Sequence, residues 1–152
     1  GKIAVTPRVI FADENLENKG PFPLERGKPT TLSFYLAIST WAEDFENIII
    51  KTKIPLGVKL TGVFGGEFKP ENFFYNPETG EWVYRLDELQ AGFGNLYNEY
   101  LLLQQIEVTP PLYGEFNRFV VIPKMTISAK GKFSNQTFEL TTDPITIGEI
   151  KK

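Results

Sequence analysis

The 152-residue sequence contains no cysteine, no histidine and a single methionine. Without cysteine there is no disulfide, no thiolate nucleophile and no zinc–thiolate site. Without histidine, Ser-His-Asp and Cys-His nucleophile systems are excluded too. No stretch approaches the ~18 consecutive apolar residues of a membrane span, and the first residues lack an apolar signal core. Positive charge is also short, with 16 Lys and Arg against 19 Asp and Glu for a net charge of −3. Nucleic acid requires a basic footprint that this balance does not supply. The chain starts Gly1-Lys2 without Met, which reads as an excised fragment or a tag remnant.

What is present favours strands. Aromatic residues make up 14% of the chain, with 13 Phe, 6 Tyr and 2 Trp, beside many Thr, Val and Ile. Short runs of period 2 recur, broken by Gly, Pro and Asn. Residues 3–5 and 8–11 read as a first strand split by Pro7. The run 30–38 reads as a strand with Leu32, Phe34, Leu36 and Ile38 on one face. Further strands are expected at 48–54, 58–64, 81–86, 100–108, 118–131, 132–142 and 144–150, with Pro123 at an edge or bulge. Thr40 with Glu43 has capping-box spacing for one helical turn, and Asp87 with Gln90 suits another closed by Gly92. No apolar stripe of helical period exceeds about two turns. The expectation is a single all-β domain over residues 1–152, an Ig-like antiparallel β-sandwich of roughly nine strands.

The segment "EWVYRLDELQAGFGN" (81–95) is the most patterned. Trp82, Tyr84 and Leu86 alternate and share a face, and Leu101, Leu103 and Ile106 are the expected apolar partners downstream. Gly92 and Gly94 suit a strand changing sheets, where positive φ is needed. No helix follows for a phosphate to cap, so the turn reads as a structural corner.

Chemistry has few candidates. Paired carboxylates could serve a glycosidase, and Asp87 with Glu88 or Glu43 with Asp44 are the adjacent pairs. Neighbouring acids in an extended segment point apart, so no catalytic residue is assigned. Asp13, Asn15 and Glu17 fall at alternate positions, as at the start of a calcium loop. They lack the glycine at the sixth position and the bidentate Glu at the twelfth, where Leu24 stands, so an Asx-rich turn is favoured. Trp41, Phe73, Phe74, Tyr75 and Tyr97 raise the question of sugar stacking. Phe73 and Tyr75 share one face and Phe74 the other, which puts part of this set in the core. Trp41 is the one expected to be partly exposed, and Trp41 with Tyr97 is the candidate glycan site. No cofactor is implied.

The ordered set "GPFPLERGKPTTLSFYLAIST" (20–40), "NIIIKTKIPLGVKLTG" (47–62), "YNPETGEWVYRLDELQAGFG" (75–94), "LQQIEVTPPLYGEFNRFVV" (103–121) and "ISAKGKFSNQTFELTT" (127–142) resembles a known family. It is similar to Ig-like repeat modules of large cell-surface proteins from candidate-phylum, uncultured bacteria. Lys130, Lys132 and Trp41 depart from that pattern. The resemblance implies an extracellular, non-catalytic spacer or adhesion module of a surface protein or filament. Its partners would be neighbouring Ig-like modules or surface proteins, with no nucleic acid and no membrane insertion. A carbohydrate-binding module is the first alternative. A pilus-like subunit that donates residues 144–150 to a neighbour's sheet is the second.

Overall fold

The computed structural model describes residues 3–152. Its strands in chain order are β1 (Ile3–Ile10), β2 (Thr30–Thr40), β3 (Phe45–Lys53), β4 (Val58–Gly66), β5 (Phe73–Tyr75) and β6 (Glu81–Leu89). They continue as β7 (Tyr100–Val108), β8 (Val120–Ile122), β9 (Thr126–Gly131), β10 (Thr137–Thr141) and β11 (Ile145–Thr146). A four-stranded sheet runs β1-β2-β7-β4, and a five-stranded sheet runs β10-β9-β3-β6-β5. The pair β8 and β11 stands apart, and every pairing between named strands is antiparallel. The helical segments among the described residues are two short 3-10 turns, Pro70–Asn72 and Ile147–Glu149.

Prolines account for the main differences from the expected strands. Pro7 does not split β1, where it stands opposite Leu36. β1 is an edge strand, and an edge tolerates a residue without an N–H on its outward side. Pro123 does break the expected 118–131 strand, into β8 and β9. Neither expected helical turn forms. Thr40 ends β2, and β6 runs on through Asp87 to Leu89.

Leu32, Phe34, Leu36 and Ile38 of β2 face Ile48 and Ile50 of β3 and Trp82 and Tyr84 of β6 in one buried cluster shared by both sheets. The opposite face of β2 is buried as well, at Ser33, Tyr35 and Ala37. Residues 11–19 fold over it. The Asn18 side-chain amide donates to Phe11 O at 2.8 Å and to Ser33 Oγ at 2.9 Å. Leu16 packs with Tyr35 and Leu103 in a small outer cluster that Leu101 joins. This corrects the expected partners of Trp82. Leu102 and Ile106 face the main core, whereas Leu101 and Leu103 lie on the other side of β7.

Strand direction defines two poles. Ile3 stands opposite Thr40 at one, together with the β9–β10 turn and the link from β6 to β7. The expected last strand, 144–150, takes a different course from the one predicted. Ile145 pairs antiparallel with Ile122, Ile147 is buried, and Gly148 N donates to Asn117 O at 3.0 Å. Pro144 has no N–H to give a ladder, and the following 3-10 turn ends strand geometry. The expected parallel contact with the first strand survives only as the bridge Ile10–Lys151, where Phe11 N donates to Lys151 O at 3.0 Å. Ile3 and Lys151 therefore lie at opposite ends of β1, about 23–26 Å apart at ~3.3 Å per residue. Gly1, expected at the pole opposite Lys152, lies outside the described residues.

Candidate functional site

Trp82 sits on β6 against Phe34 and Phe73, with ring centroids at 6.3 Å and 5.4 Å. Its indole N–H donates to Gln104 Oε1 at 2.7 Å, a bond that crosses from one sheet to the other. A buried indole needs such an acceptor, and β7 supplies it within an otherwise apolar inner face. Gln104 is absent from the partners that sequence pattern predicts for Trp82. The signal was there, as a Gln-Gln pair interrupting "LLLQQIEV". Tyr84, two residues on from Trp82, packs on Phe68 at 5.1 Å, and its hydroxyl accepts Lys69 N at 3.0 Å.

Burial raises the Tyr84 phenol above 10.0, and burial, with nearby Tyr84 and Glu67, raises Tyr100 to about 12. The neutral phenol is thus favoured in the folded chain, while the unfolded chain ionises near 10.0. Stability present below pH 10.0 is expected to fall as the pH climbs toward about 12. Urea midpoints across that window test this, and Tyr100→Phe should flatten the fall.

The link after β6 is built around Thr40. Gly92 N donates to Thr40 O at 2.9 Å, Thr40 N to Phe93 O at 2.9 Å, and Thr40 Oγ1 to Gln90 O at 2.8 Å. The link carries the chain from the five-stranded to the four-stranded sheet. Gly94 has φ 92° and runs against Ser39, where an added Cβ would meet the hydroxyl at 2.6 Å. Gly92 has φ 107° and lies under the Tyr97 ring. Both glycines serve the corner, and Gly94 also borders the cleft beside Tyr97.

The carboxylates paired in sequence are separated by structure. Asp44 Oδ1 accepts Ala91 N at 2.8 Å, and Glu88 pairs with Lys132 at 3.0 Å on the surface. Glu43 is buried, and its Oε1 accepts Phe133 N at 3.0 Å and Ser134 N at 2.8 Å. Its expected partner Thr40 is engaged elsewhere, so the capping box gives way to a longer-range lock on the β9–β10 turn. Gly131 is required beside it, because a Cβ there would collide with the Glu43 carboxylate. Glu43→Ala is expected to cost about 2–3 kcal/mol, from two lost charge-assisted bonds and two stranded donors. Thermal unfolding measures the loss, and amide exchange at Phe133 and Ser134 should accelerate.

Asp13 and Asn15 converge on the Tyr35 hydroxyl, without Glu17. Asp13 Oδ1 accepts Asn15 N at 3.0 Å, and the Tyr35 hydroxyl donates to Asp13 Oδ2 at 2.8 Å. The Asn15 amide donates to the Tyr35 hydroxyl at 2.9 Å, while Glu17 is exposed beside Lys19. Hydrogen bonds from Asn15, Ser33 and Tyr35 outweigh partial burial and lower the Asp13 pKa. No group of three or more acids, His or Cys able to hold a metal ion occurs among the described residues. The segment is an Asx turn pinning residues 11–19 to the sheet.

Trp41 is 39% exposed at the pole where β1 starts, and Tyr97 is 53% exposed there. Tyr97 packs on Phe93 at 5.7 Å and lines an open cleft with Arg8, Asn95, Asn98 and Glu99, in which Trp41 has no part. Trp41 is also not alone in being exposed, since Phe74 reaches 54%. Phe73 and Tyr75 are partly buried, as their shared face requires.

No family model and no curated protein matches the sequence. Solved structures match the fold. A variant of BcpA, the major pilin subunit of Bacillus cereus, gives a TM-score of 0.50 at 8% identity, over 95% of this chain and 40% of that one. The full-length major pilin SpaD from Corynebacterium diphtheriae gives 0.52 at 8% identity, over 92% and 34%. The chain thus spans less than half of either pilin. What it shares with these bacterial pilins is the fold, an Ig-like antiparallel β-sandwich.

Proposed function

We propose that the chain is a non-catalytic structural module of a bacterial cell-surface protein or filament, strung end to end with similar Ig-like modules outside the cell. Residues 1–152 then form one module of a longer protein. One observation carries this reading: the chain begins its first strand at one pole and reaches Lys151 at the other. A sandwich threaded this way adds its full length to a stalk. The fold shared with two major pilins supports the reading, as does the resemblance to surface modules of candidate-phylum bacteria. The segment 145–151 is held by its own domain, which favours a spacer over a strand donor.

The test is a protein of two copies in tandem, measured by small-angle X-ray scattering. Its maximum dimension should exceed that of one copy by about 35 Å, the span of the 11-residue β2 at ~3.3 Å per residue. A pair that folds back on itself, adding little length, would refute the spacer.

A glycan-binding module is the second reading, favoured by the cleft where a half-exposed Tyr97 stands among Arg8, Asn95 and Asn98. Soluble oligosaccharides are expected to leave Trp fluorescence and the Tyr97 ring resonances unchanged. A saturable shift, lost in Trp41→Phe or Tyr97→Ala, would promote this reading over the spacer.

A further inference from the structure

Phe133, in the β9–β10 turn, is 91% exposed, more than any other aromatic among the described residues. The turn that carries it is fixed. Glu43 Oε1 accepts Phe133 N at 3.0 Å and Ser134 N at 2.8 Å. Gly131 N donates to Gln136 O at 2.9 Å, and Asn135 N donates to Gly131 O at 2.9 Å. A phenyl ring left in solvent adds nothing to the core of its own domain, so what stands beside it matters.

The ring comes two residues before Asn135, in Phe133-Ser134-Asn135-Gln136-Thr137. Asn-X-Thr with X other than Pro is the acceptor pattern of N-linked glycosylation. Of the nine asparagines, Asn135 alone has Ser or Thr two residues on. The pattern recurs by chance, so its placement carries the argument. Asn135, Gln136 and Thr137 are all exposed, at the start of the edge strand β10. Asn135 has φ 61°, a left-handed turn conformation in which Asn is enriched. Among the described residues, no hydrogen bond engages its carboxamide or the Thr137 hydroxyl.

Two residues span at most about 7 Å between Cα atoms, so a first sugar on the Asn135 amide reaches the Phe133 ring. The face of that ring is negative, and the C–H groups of a pyranose are weakly positive. The apolar face of the sugar therefore stacks on the phenyl group and takes it out of water. The turn is already fixed, so little entropy remains to be lost when they meet.

We infer that Asn135 is a site of N-linked glycosylation and that Phe133 is the platform on which the first sugar rests. The donor is an oligosaccharide carried on a lipid diphosphate. Asn135 Nδ2 bonds to C1 of the first sugar, and the C1–O bond to the diphosphate breaks. The lipid diphosphate leaves with that electron pair, and the amide gives up one proton. The inference rests on the reading of the chain as a module displayed outside the cell, where surface loops meet such transfer.

Mass spectrometry of the protein isolated from the organism that makes it tests the site. The peptide holding Asn135 should carry a saccharide, and a peptide found only unmodified would overturn the inference. Such a failure is separate from that of the spacer reading, which the tandem protein tests without any glycan. The platform is tested on the folded recombinant chain, treated with an oligosaccharyltransferase and a lipid-diphosphate-linked oligosaccharide. Wild type should gain one glycan, and Thr137→Ala, which leaves the bonds of the turn in place, should gain none. A glycosylated Thr137→Ala chain or an unmodified wild type would overturn the site. In wild type the glycan should raise the thermal midpoint by about 2–4 °C. The ring current should also move protons of the first sugar upfield. Phe133→Ser keeps the acceptor, so the glycan should still attach while the midpoint gain and the upfield shift both disappear. An equal gain in Phe133→Ser, or an unshifted sugar in wild type, would overturn the platform.

Discussion

Trp82→Ala is expected to lower stability by about 3–5 kcal/mol, the range for truncating a large aromatic in a well-packed core. Two losses combine. The ring fills the space between Phe34 and Phe73, in contact with both sheets, and its removal leaves a cavity that rigid strands cannot close. The indole also satisfies Gln104, whose side chain is buried on β7 and would be left without that donor. Equilibrium urea unfolding gives the difference directly. Trp82→Phe separates the two causes, since it keeps most of the ring volume and removes the donor. An unchanged midpoint in the Ala variant would move Trp82 out of the core. Equal losses in Phe and Ala would assign the whole effect to the hydrogen bond.

Deleting residues 144–152 is expected to cost on the order of 5 kcal/mol, comparable to the entire stability of many domains. The segment carries buried Ile147, with Ile145 and Ile150 packed against the same core. It also supplies the acceptor for Phe11 N and closes onto Asn117, Phe119 and Val9 through backbone bonds. Burying one isoleucine is worth roughly 2–3 kcal/mol, and the remaining contacts account for the rest. The truncated chain should be monomeric and largely unfolded by circular dichroism. A strand donated to a neighbour predicts the opposite outcome. The truncated domain would stay folded, lose assembly and regain it when the 144–150 peptide is added in trans. That result would restore the strand-donating subunit and displace the self-contained module.

Local pattern was enough for most of the strands. The alternation of Leu32, Phe34, Leu36 and Ile38 and of Trp82, Tyr84 and Leu86 marked inward faces, because the period of a strand is 2 whatever it packs against. The glycines at 92 and 94 marked a change of direction for a similarly local reason, since φ of 107° and 92° disfavours a Cβ. The absence of cysteine and histidine removed whole classes of catalysis before any fold was considered. Several inferences that depended on a remote partner failed. The Thr40–Glu43 spacing fits a capping box, but Glu43 is taken by backbone donors 90 and 91 residues away. Leu101 and Leu103 look like core partners of Trp82, but Gln104 is the residue that reaches its indole. At Asp13 and Asn15 the favoured Asx turn does form, and the partner the sequence did not supply is the hydroxyl of Tyr35, which binds them both.

Composition and short-range periodicity therefore determined the all-β class, the positions of the main strands and the exclusion of thiol and imidazole chemistry. Only the tertiary structure decided which polar side chains are buried and what each one holds. A buried donor or acceptor must be satisfied by whatever group the fold brings near, and that group has no fixed distance along the chain.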